Sequence, residues 1–401
     1  MIKNKHNRNR YPYRNRYPYE FLLLYMLFFG GNGILNPFMP VYLDEIGFSR
    51  TIIGTILALG PLVAMISQLI WGLAGDRART KNTILKILLS GCAALIILFP
   101  LSTSLWYVFT IFALFTFFQS SIMPTIDTIT LEHLENTTWK FGPIRMAGTI
   151  GFAFVTVVTG MIMRNNTNYM FIIYFLILLV NLALVFKLPD IKGHQFGGVK
   201  VSPQELFKNK KLVMLMGFSF AIQITLGFYY GFFPVYFKEL GGDSTLLGWA
   251  MFIAALSEVP FLLFADKVIN KIGIVMTLIG SAIATSIRWL ILFLIKDVYQ
   301  AFPVNAMHGL TFIIFTYCLA TYINKNVPKE LRASGQALNG IISMGLARII
   351  GNVFGGYLSD IVGIKHMFLY VSLFGFISVL IFGIMLIKHE NNTMKTEYEG
   401  E

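Results

Sequence analysis

The sequence predicts an all-α polytopic membrane protein, and three features of the chain support this prediction. Of its 401 residues, 56% are apolar and only 13% are charged, whereas soluble proteins average roughly 45–50% and about 25%. The apolar residues fall into twelve runs, each close to the about 20 residues that a helix needs to cross a bilayer. Lys and Arg concentrate in every second loop between those runs. These features exclude a disordered chain or a disulfide scaffold and argue strongly against a soluble enzyme.

Each of the twelve runs is predicted to be a membrane-spanning helix. Backbone groups in lipid must be paired within the chain, so only helices or closed barrels can span it, and these runs are too long for barrel strands. We number the predicted helices α1 to α12 in chain order: 21–43, 52–74, 83–101, 105–128, 143–163, 168–188, 212–237, 245–265, 273–295, 299–324, 333–357 and 366–388.

The distribution of positive charge predicts the orientation of the helices. If the N-terminus is cytoplasmic, the cytoplasmic segments hold 24 of the 32 Lys and Arg residues, the outer loops hold 5 and the helices hold 3. This asymmetry predicts that both termini face the cytoplasm and that the protein lies in the cytoplasmic membrane. The net charge of +12 therefore reflects topology, and we expect contact with the lipid bilayer but with no nucleic acid.

An internal repeat predicts two six-helix halves. Shifting the sequence by 194 positions places FMPVYLDEIG, at 38–47, over FFPVYFKELG, at 232–241, and Gly54 over Gly248. Both copies end one predicted helix and lead to the next, so the chain is six helices repeated. The predicted regions are a disordered basic tail (1–20), an N-terminal six-helix bundle (21–188), a cytoplasmic linker (189–211), a C-terminal six-helix bundle (212–388) and an acidic tail (389–401).

The loop between α2 and α3 carries a motif that resembles a known family. It reads Gly72-Leu-Ala-Gly-Asp76-Arg77-Ala-Arg79-Thr80-Lys81, which resembles the signature of the major facilitator superfamily. The resemblance implies the fold of that family: twelve helices in two pseudo-symmetric halves, with a midplane site that opens alternately to each side. It also implies that Gly72, Asp76 and Arg77 act in gating.

Six ionisable residues lie inside the predicted helices, where such groups are costly and mark a functional site by default. Asp127 on α4 and Arg145 on α5 are 18 residues apart around a turn. Both are therefore expected about 13 Å from that turn, at equal depth. They can hold a substrate, or they can form an ion pair that only ties α4 to α5. The other four residues are Glu258, Arg288, His308 and Arg348.

The segment 141–152, FGPIRMAGTIGF, resembles α5 of the lactose permease branch of the superfamily. The resemblance implies that Arg145 and Asp127 hold substrate and that Phe152 replaces an indole that stacks on a sugar. The segment from Gly227 to Pro234 is more similar to the phenylpropionate and nucleoside permease branches. The further predicted substrate-binding residues are Asn32, Asn36, Gln119, Tyr229 and Tyr230.

Arg288 and His308 flank a turn at similar distances, which predicts that their side chains meet at similar depth. They resemble the arginine and histidine of the permease branch's proton-coupling cluster, although Thr311 stands where that branch has a carboxylate. Glu258 and Arg348 complete the predicted proton-coupling residues, and Glu258 and Asp127 are the candidates to carry the proton. The alternatives are a structural His308 and a Glu258 paired with an arginine or a helix dipole.

The predicted function is secondary active transport, specifically proton-coupled symport of a small organic solute by a monomer with no cofactor. An aromatic carboxylate, a nucleoside or a sugar would fit, and three intramembrane arginines against two carboxylates favour an anion mildly. The alternatives are a proton-coupled multidrug or metabolite exporter, disfavoured because α5 has one proline only, and a membrane-embedded sensor without transport. The sequence has no nucleotide-binding loop, metal-ligand cluster or nucleophile motif, so we expect no enzymatic activity.

Overall fold

The computed structural model of the chain describes residues 18–135, 137–191, 203–328 and 331–398. The predicted basic tail up to residue 17, the linker residues 192–202 and the last three residues of the acidic tail lie outside the described residues. Within the described ranges all regular structure is helical. The prediction of an all-α fold is therefore confirmed.

In the described part of the chain, twelve helical segments follow one another in the predicted order. The first six, α1 to α6, are Tyr19–Glu45, Arg50–Arg77, Lys81–Leu101, Leu105–Leu134, Phe141–Ile162 and Tyr169–Val185. The second six, α7 to α12, are Lys210–Glu239, 244–272, 274–294, Val298–Ala306 with His308–Asn326, Ser334–Val362 and Ile364–Tyr398. Among the described residues, all except the 17-residue α6 have the length and apolarity to cross a membrane, if the bent α10 counts as one span and the run of α8 and α9 is divided into Ser244–Phe261 and Leu263–Leu294.

Several of these helices depart from regular geometry or from the predicted bounds, among them α4, α8 and α9. α4 is interrupted between Gln119 and Ile122 and then continues to Leu134, beyond the predicted end at residue 128. The polar residues after Asp127 end the apolar run, but a helix that leaves the hydrocarbon does not have to stop there. α8 and α9 form one continuous helical run that turns at Gly273, whose φ of 81° is readily adopted only by glycine.

The described residues divide into two compact units. The described residues of the first unit lie within 18–33, 66–155 and 171–191, and those of the second lie within 34–65, 156–170 and 203–398. In the first unit, the rings of Phe99 and Phe171 stack with centroids 5.4 Å apart. In the second unit, most residues of α7 are buried.

The internal repeat is visible in two close helix contacts of the second unit. A Cβ on Gly54, near the start of α2, would lie 2.1 Å from the carbonyl oxygen of Asn352 on α11. A Cβ on Gly248, at the matching position of α8, would lie 2.8 Å from the carbonyl oxygen of Thr156 on α5. Equivalent glycines thus allow equivalent backbone approaches, because any larger residue would clash with backbone atoms.

Candidate functional site

The first unit holds a cluster of one carboxylate, one arginine and two aromatic residues, which we call the Asp127 cluster. The hydroxyl of Tyr25, which is fully buried on α1, donates a hydrogen bond of 2.5 Å to Asp127 Oδ1. The guanidinium of Arg145 lies over the ring of Phe29, 3.9 Å from its centroid. The rings of Tyr25 and Phe29 stack with centroids 6.5 Å apart, so the aromatic partners of Asp127 and Arg145 are neighbours.

Two glycines on α5 bring α1 close enough to form this cluster. A Cβ on Gly148 would lie 2.5 Å from Cδ2 of Phe29, and a Cβ on Gly151 would lie 1.9 Å from the carbonyl oxygen of Met26. The backbone of α1 therefore packs directly on α5 at these positions. Because Arg145 precedes Gly148 by nearly one helical turn, the same approach places the Phe29 ring under its guanidinium.

Sequence reasoning missed Tyr25 and Phe29, although a signal for them was present. Tyr25, Phe29, Asn32 and Asn36 follow the spacing of one face of a helix, and the last two were predicted from the sequence. The structure joins Asn32 to another predicted residue, since Gln119 Nε2 donates to Asn32 Oδ1 at 3.1 Å. Asn36 is exposed and belongs to the second unit, while Phe152 is partly buried on α5.

The second unit holds a cluster around Arg288, which is fully buried on α9. Its Nε donates to the carbonyl oxygen of Val304 at 3.1 Å. Its Nη1 donates to His308 Nδ1 at 2.9 Å and to Thr311 Oγ1 at 3.0 Å. Its Nη2 donates to Tyr229 Oη at 2.8 Å and to Asn305 Oδ1 at 3.0 Å. All five N–H groups of the guanidinium are thus satisfied by uncharged acceptors.

Three of these acceptors lie three residues apart on α10, at positions 305, 308 and 311. Sequence reasoning identified His308 but missed Asn305 as an acceptor and treated Thr311 only as the place of an absent carboxylate. In the structure, the hydroxyl of Thr311 accepts a hydrogen bond from Arg288. A carboxylate at this position would face the same arginine. Tyr229, predicted to bind substrate, is 1% exposed, and its hydroxyl also donates to Asn305 Oδ1 at 2.8 Å.

The contact with Arg288 determines which nitrogen of His308 carries the proton. A guanidinium stays protonated in proteins and can only donate, so His308 Nδ1 must accept and cannot bear a hydrogen. The ring is therefore the neutral tautomer with its hydrogen on Nε2. Nε2 faces Tyr230 Oη at 3.0 Å and Glu258 Oε1 at 3.5 Å. A second proton on this ring would require the loss of the Arg288 hydrogen bond.

A break in α10 brings Glu258 to this histidine. The two parts of α10 are bent by 48° immediately before His308. The freed backbone groups find hydroxyl partners, since Gly309 N donates to Ser257 Oγ at 2.8 Å and Ser281 Oγ donates to the carbonyl oxygen of Leu310 at 2.7 Å. A Cβ on Gly309 would lie 1.9 Å from the carbonyl oxygen of Ser257, so the two backbones touch. Glu258 follows Ser257 and thereby reaches the His308 ring.

Arg348 lies apart from these hydrogen bonds. Its guanidinium carbon is 5.1 Å from the centroid of the Tyr230 ring. Its Nε is buried and has no hydrogen-bond partner among the described residues. Tyr230 therefore stands between Arg348, which it contacts through its ring, and His308, which it contacts through its hydroxyl.

The three predicted gating residues all lie in the last two turns of α2. Gly72 and Arg77 are exposed, and Asp76 is partly buried. Among the described residues, neither Asp76 nor Arg77 makes a side-chain hydrogen bond or an ion pair. No group of three or more His, Cys, Asp or Glu side chains in the described ranges could hold a metal ion.

Helices of membrane length with ionisable side chains at mid-span define a polytopic membrane protein of the transporter class. Comparison with known families specifies that class. The model of the MFS_1 like family matches residues 20–370, and the chain therefore belongs to this family of major facilitator transporters. Its members move solutes across membranes and are not enzymes.

Known relatives align over most of the chain. A maltose permease of Geobacillus stearothermophilus is 27% identical over 373 residues, which cover 92% of this chain and 94% of the permease. A probable 3-phenylpropionic acid transporter of Escherichia coli (strain K12) is 22% identical over 347 residues, with 84% of this chain and 90% of that protein covered.

A solved transporter has the same fold. The crystal structure of a mutant of the nucleoside transporter NupG matches with a TM-score of 0.84 at 19% sequence identity. The match covers 92% of this chain and 99% of that one. The prediction of the major facilitator fold is thus confirmed.

Proposed function

We propose that this major facilitator transporter is a proton-coupled symporter of a small organic solute and works by alternating access. Two predicted six-helix halves, 21–188 and 212–388, would alternate around the solute site as a monomer without a cofactor. We further propose that it lies in the cytoplasmic membrane with both termini in the cytoplasm, as the distribution of its positive charges indicates.

The observation that carries the proposal is the contact between Glu258 and a histidine that cannot take the proton. His308 is held neutral by Arg288, and Arg288 itself is permanently charged. Glu258 Oε1, at 3.5 Å from His308 Nε2, is then the group of this cluster that can gain and lose a proton. Its side chain is 19% exposed and therefore not sealed within the packed protein. Inside a membrane span, a charged carboxylate costs more free energy than a protonated one. Gain or loss of the proton would therefore favour different conformations of the protein.

The solute site that we propose is centred on the Asp127 cluster. Asp127 offers acceptor oxygens, Arg145 offers donors, and Phe29 and the partly buried Phe152 offer ring faces. The Asn32–Gln119 pair adds amide groups within the same unit. Such a mixture suits a solute with both an apolar ring and polar substituents. The relatives named for maltose, nucleosides and 3-phenylpropionic acid support a solute of this size.

Uptake by purified protein in proteoliposomes tests the proposal. Radiolabelled maltose, uridine and 3-phenylpropionate are offered with the lumen more alkaline than the bath, and protein-free vesicles correct for passive entry of the acid. At least one solute is expected to accumulate, and a protonophore should abolish the accumulation. Accumulation that ignores the gradient contradicts proton coupling, and accumulation only under the opposite gradient identifies an exporter.

Substitution of the proposed proton carrier sharpens this test. Glu258→Gln is expected to lose gradient-driven accumulation while it keeps exchange of internal for external solute, because exchange needs no net proton movement. Glu390→Gln is the matched control, since Glu390 pairs with Lys211 near the cytoplasmic end of α12. Gradient-driven accumulation by Glu258→Gln at the wild-type level would contradict the assignment.

A separate pair of variants tests the proposed solute site. Asp127→Asn and Arg145→Gln should each weaken solute binding at least about tenfold, because each removes a charged hydrogen-bonding group. Unchanged uptake by both variants would show that the solute binds elsewhere.

A further inference from the structure

Arg348 is a charged side chain whose hydrogen-bonding capacity is not used by any described residue. Among the described residues, none accepts a hydrogen bond from its guanidinium or forms an ion pair with it. Its Nε is buried without a partner. The residue as a whole is only partly buried, and its guanidinium carbon lies 5.1 Å from the centroid of the Tyr230 ring. A buried or half-buried charge normally finds a partner, so this position requires an explanation.

A charged side chain at the position of Arg348 is energetically costly, and a residue without a function would not be expected there. It lies halfway along α11, which is Ser334–Val362, and hence near the middle of the bilayer. It shares a helix face with the buried Asn352 and Ser359, while Phe354 and Ile361 on the other face are exposed. Arg348 therefore points toward protein and not toward lipid, and it cannot reach the headgroups by extending along the lipid face.

The backbone around Arg348 is also specialised. The seven residues Gly340–Leu346, directly before it, form a π-helix. Segments of this kind are rare and occur frequently at functional sites. On its other side, a Cβ on Gly227 of α7 would lie 2.9 Å from Arg348 Cα, so the backbones of α7 and α11 touch at this residue. The position of Arg348 is therefore fixed, although its guanidinium has no hydrogen-bond partner among the described residues.

The other mid-span charges of this unit are accounted for. Arg288 has five acceptors, and Glu258 faces His308. Among the described residues no anion pairs with Arg348, and its planar guanidinium matches the two oxygens of a carboxylate. The ring of Tyr230 contacts the guanidinium but offers it no oxygen or nitrogen acceptor.

We propose that Arg348 binds the carboxylate group of the transported solute and that the solute is therefore an organic carboxylate. This inference rests on the proposed function, because it assumes that the chain binds a small solute. It assigns Arg348 to substrate binding and not to the proton-coupling group in which its sequence position had placed it. The aromatic side chains around Tyr230, including Phe312 with a centroid distance of 5.8 Å, would suit a solute with an apolar body.

Binding of acids and their matching amides tests the proposal. Isothermal titration of the purified full chain in detergent uses 3-phenylpropionate, benzoate and hexanoate, each beside its neutral amide, with maltose and uridine as uncharged solutes. At least one acid is expected to bind about tenfold or more tightly than its amide, because only the acid forms charge-assisted hydrogen bonds. Arg348→Gln should remove that difference, and Arg348→Lys should keep part of it.

The controls separate a binding role from a folding role. Arg348→Gln should unfold within a few degrees of the wild type, and its affinity for the amide should not change. Arg164→Gln, which removes an exposed arginine near Asp243, should keep the preference for the acid. If Arg348→Gln fails to fold, the acid-to-amide ratio of Arg348→Lys decides the question: an unaltered ratio overturns the proposal.

Other results overturn the proposal directly. These are equal binding of acids and amides by the wild type, binding of maltose or uridine without binding of any acid, no binding of any acid, and an unaltered acid preference in Arg348→Gln. Titration in detergent needs no proton gradient, so it can fail independently of the uptake assay. Proton-driven uptake of maltose or uridine together with no binding of acids would sustain the proposed function and reject this inference.

Discussion

Arg288 and Arg348 are the same residue type in the same unit, but their surroundings are opposite. Arg288 is fully buried and donates to five uncharged acceptors from α7 and α10. Arg348 is partly buried and has a ring contact but no acceptor among the described residues. An arginine whose donors are all occupied cannot bind a solute without losing existing bonds, whereas an unoccupied one can. The comparison suggests that charge inside a membrane marks function, and that hydrogen-bond occupancy distinguishes a structural charge from a binding one.

The largest effect is expected when Arg288 is removed. Arg288→Met should destabilise the protein by about 3–5 kcal/mol, because it leaves several buried polar groups without partners. Thermal unfolding of the purified protein measures the change. If Arg288→Met were as stable as the wild type, the proposed difference between a structural Arg288 and a binding Arg348 would be contradicted.

A smaller effect is expected at the break in α10. Gly309→Ala places a Cβ 1.9 Å from the carbonyl oxygen of Ser257, which is a backbone atom and cannot rotate away. We expect a loss of about 1–3 kcal/mol from overpacking. In the uptake assay, the gradient-driven component should fall more than exchange, since the substitution moves Glu258 away from His308. Gly280→Ala is the control, because nothing lies within 4 Å of a Cβ at Gly280 among the described residues.

One acceptor of Arg288 can be removed alone. Thr311→Val keeps the shape of the side chain but takes away the hydroxyl that accepts from Nη1, which is then left with His308 as its acceptor. The expected cost is about 1–2 kcal/mol in thermal unfolding. Thr311→Ser, which retains the hydroxyl, should recover most of the loss, and equal losses in the two variants would show that packing and not the hydrogen bond was responsible.

The smallest effect on stability is expected at Arg348. Arg348→Gln without ligand should change the free energy of unfolding by less than about 1 kcal/mol, in either direction, because no hydrogen bond to a described residue is lost. The same thermal unfolding assay measures it. A loss comparable to that of Arg288→Met would show that Arg348 is structural as well.

The sequence predicted the helices and the repeat because these depend on local composition and on periodicity. It also predicted that Asp127 and Arg145, and likewise Arg288 and His308, come together, since equal distances from a turn give equal depth. It could not show how each helix is rotated about its axis, and rotation decides which side chains meet. For this reason the sequence did not predict that Tyr25, although it shares a helix face with Asn32, donates to Asp127.

Other features depended on contacts between distant parts of the chain. The break in α10 is stabilised by hydroxyls of Ser257 and Ser281, which lie on α8 and α9. The π-helical turn before Arg348 has no compositional signature beyond its glycines. The sequence also could not show whether the hydrogen-bond donors of Arg288 and Arg348 are occupied, the difference from which we infer different roles, because each is a single arginine within an apolar run.

The state of His308 is the most direct test of the central claim, that Arg288 is a fixed donor and that Glu258 carries the proton. Nitrogen NMR of the protein with labelled histidine, assigned by His308→Gln, reports whether each ring nitrogen of His308 bears a hydrogen. Between about pH 5 and 8, the range in which histidine ordinarily changes charge, we predict a neutral ring with hydrogen on Nε2 only. A ring that takes a second proton in this range would show that the Arg288 hydrogen bond is not maintained, and it would contradict both assignments.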